Sequence, residues 1–166
     1  MELDYKTITQ SILKSMPERT KTVLSRRFSI GKKKEGETLD AIGKSYKITR
    51  ERVRQIEVDG IKRAKKALED SQIKSQYQKI KTYLEDKIKQ NGGIKREDLL
   101  LAELGSPEDK NYITFLLALN NDVEKIKEDQ SFFSFYSVRK DLPELAKRVA
   151  TDLVNKFEKG KEPDII

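Results

Sequence analysis

The chain has 166 residues, 38% of them charged and 36% hydrophobic, carries a net charge of +7, and contains neither cysteine nor histidine. That length suits one ordinary domain or two small ones, each with a modest core. The composition excludes disulfides and thiolate metal sites, leaves zinc only carboxylate ligands, and removes the commonest general base near neutral pH. No cofactor and no metal are expected. A magnesium-carboxylate nuclease is the one enzymatic route left, and the carboxylates are dispersed among lysines, so the chain reads as a non-enzyme. No apolar run is long enough to span a bilayer, and the opening "MELDYKTITQ" is too polar for a secretory signal, so the expected location is the cytoplasm with no membrane partner. Residues 1–70 hold 18 Lys/Arg against 11 Asp/Glu, whereas residues 71–166 hold 17 of each. Charge segregated in this way points to a negatively charged partner surface.

In chain order, Leu3, Ile8, Ile12 and Leu13 mark an amphipathic helix that stops near Met16-Pro17, because proline disfavours helix in the residue before it. Pro17 at the first helical position opens a second helix carrying Val23, Leu24 and Phe28, which ends before the loop "GKKKEGE". Thr38 caps a third helix with Leu39, Ile42 and Tyr46. A turn at Tyr46-Lys47-Ile48 follows, and Thr49 caps a fourth helix, over residues 49–68. Two short helices joined by a tight turn, with a polar cap opening the second, form a helix-turn-helix. "EDSQIKSQYQ" (69–78) reads as a linker or a continuing helix.

The second half has a different rhythm. Ile80, Tyr83, Leu84 and Ile88 make a helix ended by Asn91-Gly92-Gly93, and "IKREDLLLAEL" reads as a short helix. Ser106 caps a third helix, with Pro107 in its first position, running through Leu119. "VEKIKED" and "SFFSFYSV" read as a β-hairpin. Three helices followed by a hairpin is the plan of a winged helix. A last amphipathic helix carries Leu142, Leu145, Ala146, Val149, Leu153 and Phe157. The fold class is therefore mainly α: a four-helix helix-turn-helix domain (1–70), a winged-helix-like domain (77–139), and a C-terminal helix and tail (140–166). The abrupt end after "GKEPDII" leaves open that a longer chain continues.

Wound at about 100° per residue, residues 50–68 put Val53, Ile56, Gly60, Ile61, Ala64 and Leu68 on one side. Glu51, Arg54, Gln55, Val58 and Lys62 fall on the other. Arginine suits guanine, glutamine suits adenine and glutamate accepts from cytosine in the major groove, so Glu51, Arg54 and Gln55 are candidate base-reading residues. Lys44, Lys47, Thr49, Arg52, Lys62, Arg63, Lys65 and Lys66 are the candidate phosphate contacts.

The run "TLDAIGKSYKITRERVRQIEVDGIKRAKKAL", preceded by "MPERTKTVLSRRFSI", strongly resembles region four of primary bacterial RNA polymerase sigma factors over roughly residues 5–68. The resemblance implies that Arg50, Glu51, Arg54 and Gln55 contact promoter-like double-stranded DNA. It also implies that the helix around Val23, Leu24 and Phe28 contacts RNA polymerase core. Lys47 stands where many relatives have glycine, at roughly 1 kcal/mol for a left-handed turn. Asp59 puts an acid where a base is usual, and Gly60 replaces alanine at about 1 kcal/mol of helix propensity. Nothing in the chain resembles the sigma regions that bind core polymerase and melt the downstream element, so it is not a complete housekeeping sigma factor.

Residues 77–139 resemble the winged helices fused to sigma-like domains or found in the polymerase delta subunit. "PEDKNYITFLLALN" has only Lys110 as a base and "VEKIKEDQ" is balanced in charge, which favours protein docking or spacing over a second DNA contact. The aromatics Tyr77, Tyr83, Tyr112, Phe115, Phe132, Phe133, Phe135 and Tyr136 are expected in the core rather than as stacking platforms. The last helix is expected to pack on its own domain. Two functions compete: a double-stranded DNA-binding transcription regulator, and an adaptor that holds RNA polymerase or another protein with little DNA binding. The oligomeric state is open.

Overall fold

Asp4, Thr38 and Thr49 cap the starts of three helices through their side chains, and Pro17 stands at the start of another. The computed structural model describes residues 3–31 and 36–158, with side chains up to residue 156. Residues 32–35 of the "GKKKEGE" loop and the Phe157 side chain lie outside the described residues. The described elements are α1 (Tyr5–Lys14), α2 (Glu18–Arg27), α3 (Leu39–Tyr46), α4 (Arg50–Ala67), α5 (Ser71–Lys89), β1 (Ile94–Arg96), α6 (Glu97–Leu104), α7 (Lys110–Leu119), β2 (Glu124–Ile126), β3 (Phe135–Ser137) and α8 (Leu142–Glu158). The fold is mainly α, a helix-turn-helix domain followed by the helix-strand-helix-helix-strand-strand order of a winged-helix-like module.

Several boundaries move from those expected. Pro17 sits at the cap of α2 rather than in its first turn. Residues 69–78 are neither a linker nor a continuation of α4. Instead α4 stops at Ala67, the Asp70 carboxylate accepts a hydrogen bond from the Gln72 amide (3.0 Å), and α5 starts at Ser71. Residues 94–96 form an edge strand, not the start of a helix. Ser106 and Asp109 close a turn through the Ser106 hydroxyl and amide, both donating to Asp109 Oδ2, so α7 begins only at Lys110.

The described residues gather into two compact units. The first joins Met1–Leu84 to Leu104–Asn120, and the second joins Glu85–Glu103 to Asn121–Ile166. In the first, Ile8, Ile12, Val23, Leu24, Ile42, Val53 and Ala64 are buried together with Ile113, Phe115 and Leu116 of α7. The Phe115 ring meets Phe28 edge-on, with centroids 5.3 Å apart. The Tyr5 hydroxyl donates to the Leu104 carbonyl (2.9 Å), and Asn111 Nδ2 donates to the Ser29 carbonyl (3.1 Å). Burial pushes the Tyr5 hydroxyl up to about 12.

In the second unit β3 lies between β1 and β2, antiparallel to both, with Arg96 and Ile126 each opposite Phe135. Central β3 buries Phe135, Tyr136 and Ser137. Gly92 and Gly93 turn the chain into β1 at φ of +73° and +89°, a left-handed conformation open to glycine at little cost. Glu97 ties the sheet. It accepts from Lys125 Nζ (2.6 Å), Ser134 Oγ (2.6 Å) and the Tyr136 hydroxyl (3.4 Å). Burial pushes its carboxyl up, but the Lys125 and Ser134 hydrogen bonds outweigh this and hold it below its ordinary value.

A depressed carboxyl contributes stability above its unfolded value of 4.5 and loses it as pH falls through the folded value. Glu97→Gln is expected to cost about 1–3 kcal/mol at about pH 7 and less at a pH well below 4.5. Denaturant unfolding at the two pH values checks this; equal losses at both would refute it.

Most of the eight aromatics are buried or half-buried, as expected, but Phe133 is 66% exposed beneath the Arg96 guanidinium, 4.8 Å from its ring centre. The last helix also departs from expectation. Leu145, Val149 and Leu153 are exposed rather than packed on their own domain. Among the described residues, no helix is long and apolar enough to cross a membrane.

Candidate nucleic-acid interface

The turn between α3 and α4 is built from local chemistry. Thr38 Oγ1 accepts from the Ala41 amide and Thr49 Oγ1 from the Arg52 amide, each at 3.1 Å, so both helices open on a satisfied cap. Lys47 between them adopts the left-handed conformation (φ 51°, ψ 43°), at the position where the sequence suggested a glycine-like corner. The Ile48 amide donates to the Gly43 carbonyl (3.0 Å). A Cβ on Gly43 would lie 2.8 Å from the Ile48 carbonyl oxygen, so only glycine lets the chain pass this closely.

Val23, Ile42 and Val53 form the buried seam under the turn, with Leu39, Tyr46, Ile48 and Ile56 packed against it. Hydrophobic burial on this side fixes which side of α4 faces out. Gly60 continues the inner side. An added Cβ there would stand 2.9 Å from Thr20 Cγ2 and 3.0 Å from Leu24 Cδ1. The glycine therefore admits α2 against α4, and its cost in helix propensity is only part of the balance. Gly60→Ala gains about 1 kcal/mol of propensity but overpacks the seam at about 1–3 kcal/mol. The expected net result is a loss of about 1 kcal/mol, read as a lower denaturant midpoint. A raised midpoint would show that the seam yields.

Arg50, Glu51, Arg54 and Gln55 are all exposed on the first turns of α4. They form a connected set. Arg54 Nε and Nη2 donate to the two Glu51 oxygens, each at 2.8 Å, and Gln55 Nε2 reaches Glu51 Oε1 at 3.4 Å. Arg52 Nη1 donates to Gln55 Oε1 (3.1 Å), and Arg50 Nε stands 3.9 Å from Asp40 Oδ2 on α3. The Arg54 hydrogen bonds hold the Glu51 carboxyl below its usual range. Such a fork–fork pair pre-sets the direction of the guanidinium at the protein surface.

Of the phosphate candidates, Lys44, Lys47, Arg52, Lys62, Arg63 and Lys66 are exposed, and Lys65 is half-buried. Thr49 is exposed, but its oxygen is already engaged as the helix cap. Arg63 is paired with Asp59 at 2.7 Å, so the acid noted at 59 neutralises a neighbour on its own helix. Asp40 and the Glu51–Arg54 pairing were not singled out from sequence, although the three-residue spacing of 51 and 54 was the available signal.

The three residues expected to meet polymerase are placed differently. Val23 and Leu24 are fully buried and help hold α2 to the core. Phe28 is half-buried against Phe115. Among the described residues, no group of three or more acids stands together as a metal site.

A capped helix, a left-handed corner and a second capped helix with its polar side exposed define a helix-turn-helix domain. The model of the family described as Sigma-70, region 4 matches residues 12–66, which contain all of these parts, and this stretch is a sigma-70 region 4 helix-turn-helix. Over 63 residues, 38% of this chain, the sequence is 43% identical to the RNA polymerase sigma factor RpoD of Helicobacter pylori strain 26695 and, equally, to that of strain J99. The chain spans 9% of the length of each of these relatives. The match places the domain in the DNA-binding, transcription-related class.

Proposed function

We propose that this chain is a non-enzymatic, double-stranded DNA-binding transcription regulator that inserts the start of α4 into the major groove of promoter-like DNA. The observation carrying this reading is the joint exposure of Arg50, Glu51, Arg54 and Gln55 on the first turns of one capped helix. In this reading Arg54 takes a guanine edge, Gln55 an adenine edge, and Glu51 a cytosine amine or the orientation of Arg54. Arg50 completes the set beside the turn. Lys44, Lys47 and the α4 N-terminus meet backbone phosphate in front, and Arg52, Lys62, Arg63, Lys65 and Lys66 meet it along the helix. Val58, 55% exposed on the same side, offers an apolar contact to a thymine methyl.

The excess of Lys/Arg over Asp/Glu in residues 1–70 supports affinity that falls with salt. RNA polymerase core is the protein partner that the sigma-region match suggests. The test is selection of bound duplexes from a random pool, with and without polymerase core. The reading requires a shared motif to be enriched by the protein alone. Enrichment only in the presence of polymerase, or none, would favour the adaptor.

A further inference from the structure

Helix α8 presents an apolar stripe to solvent. Leu145, Val149 and Leu153 follow one another at four-residue spacing and are 45, 49 and 40% exposed. Side chains four apart on a helix form one continuous ridge. The next ridge carries Glu144, Arg148, Asp152 and Lys156, all exposed, so the charge reads minus, plus, minus, plus along the axis. Single exposed apolar residues need no explanation, but three in line beside an ordered charge pattern do.

The order of those charges distinguishes the possible occupants. Laid antiparallel on a second copy about a two-fold axis near Ala150, Glu144 meets Lys156 and Arg148 meets Asp152. Symmetry repeats each pair on the other side of the axis. Laid parallel about a two-fold along the helices, the two rows fall on opposite edges of the seam and do not meet. The alternating row therefore meets its own complement in the reversed pair. The same reversal brings Leu145 of one copy beside Leu153 of the other and the two Val149 side chains near the axis.

We infer that α8 pairs antiparallel with α8 of a second copy of this chain, burying the Leu145–Val149–Leu153 stripe in an isologous seam. One helix face per copy is a small interface, so the association is weak, with dissociation in the micromolar range. Within its own helix Glu144 accepts from Lys147 Nζ at 3.0 Å, and the four charges of the row stand at the spacing of intrahelical pairs. The variants below separate that use from pairing between copies.

Sedimentation equilibrium of the full chain, from about 1 to about 300 µM at low salt, is expected to move from monomer to dimer. Val149→Glu places two carboxylates at the axis and is expected to weaken dimerisation at least tenfold, to about the loss of a central contact. Arg148→Asp alone and Asp152→Arg alone each set like against like twice over, for about a three- to tenfold loss. Arg148→Asp together with Asp152→Arg restores opposite charges between copies while spoiling the pairs of each with Glu144 and Lys156 inside the helix. The double variant is therefore expected to dimerise close to the original strength, with circular dichroism confirming that helix content is kept. A chain that stays monomeric throughout, a dimer indifferent to Val149→Glu, or a double variant as weak as the singles would each overturn the pairing.

Discussion

Replacing Arg54 and Gln55 together by alanine is expected to abolish sequence-specific duplex binding while leaving the fold intact. Both side chains are exposed and neither supports the core, so stability is unchanged within about 0.5 kcal/mol. A good bidentate base contact gives about 1–3 kcal/mol of discrimination. Losing two costs about 2–6 kcal/mol, or roughly 30-fold to more than a thousandfold in affinity for the selected site. Binding to unrelated duplex, carried by the lysines and arginines around it, changes little. Lys66→Ala is the contrasting control, because it weakens all duplexes alike and flattens the salt dependence. Titration of the selected duplex and a scrambled one, by fluorescence anisotropy at two salt concentrations, separates the two effects. The single substitutions are not expected to add, because Arg54 and Gln55 both bond to Glu51. A double variant that keeps its preference for the selected site would remove α4 from base reading.

Phe115→Ala carries the largest expected effect on stability. Phe115 is fully buried in the first unit and its ring packs on Phe28. Truncating a core phenylalanine costs about 3–5 kcal/mol, a large share of what a small domain has. The informative readout is where the loss falls. Hydrogen exchange of α1 and α2 should rise along with that of α7, because these helices share one core. If α7 alone lost protection and the preceding helices kept theirs, residues 1–70 would stand as a domain on their own.

Much of the helix-turn-helix was legible in the sequence because its determinants are local. Thr38 and Thr49 announce their helices within four residues, and the apolar spacing of Val53, Ile56 and Ala64 fixes which side of α4 is free. The exposure of Glu51, Arg54 and Gln55 follows from that spacing alone. What was not legible depends on contacts between residues far apart in the chain. "ITFLLAL" announces a buried helix but not that Phe115 will meet Phe28. That Val23 and Leu24 are wholly covered by their own domain likewise depends on distant contacts. "IKR" is too short to show a strand period and becomes β1 only because β3 lies beside it. Gly60 looks like a cost until the approach of α2 is known. The exposed stripe of α8 has the same periodicity as a packed one, and sequence alone does not say which neighbour is missing.

The left-handed corner at Lys47 has an engineering consequence. A glycine there would relax the backbone by about 1 kcal/mol, yet it would take away the ammonium group that we propose meets backbone phosphate in front of α4. Under that proposal, hardiness to heat and grip on a polyanion pull against each other at a single residue, and no one side chain at that bend maximises both.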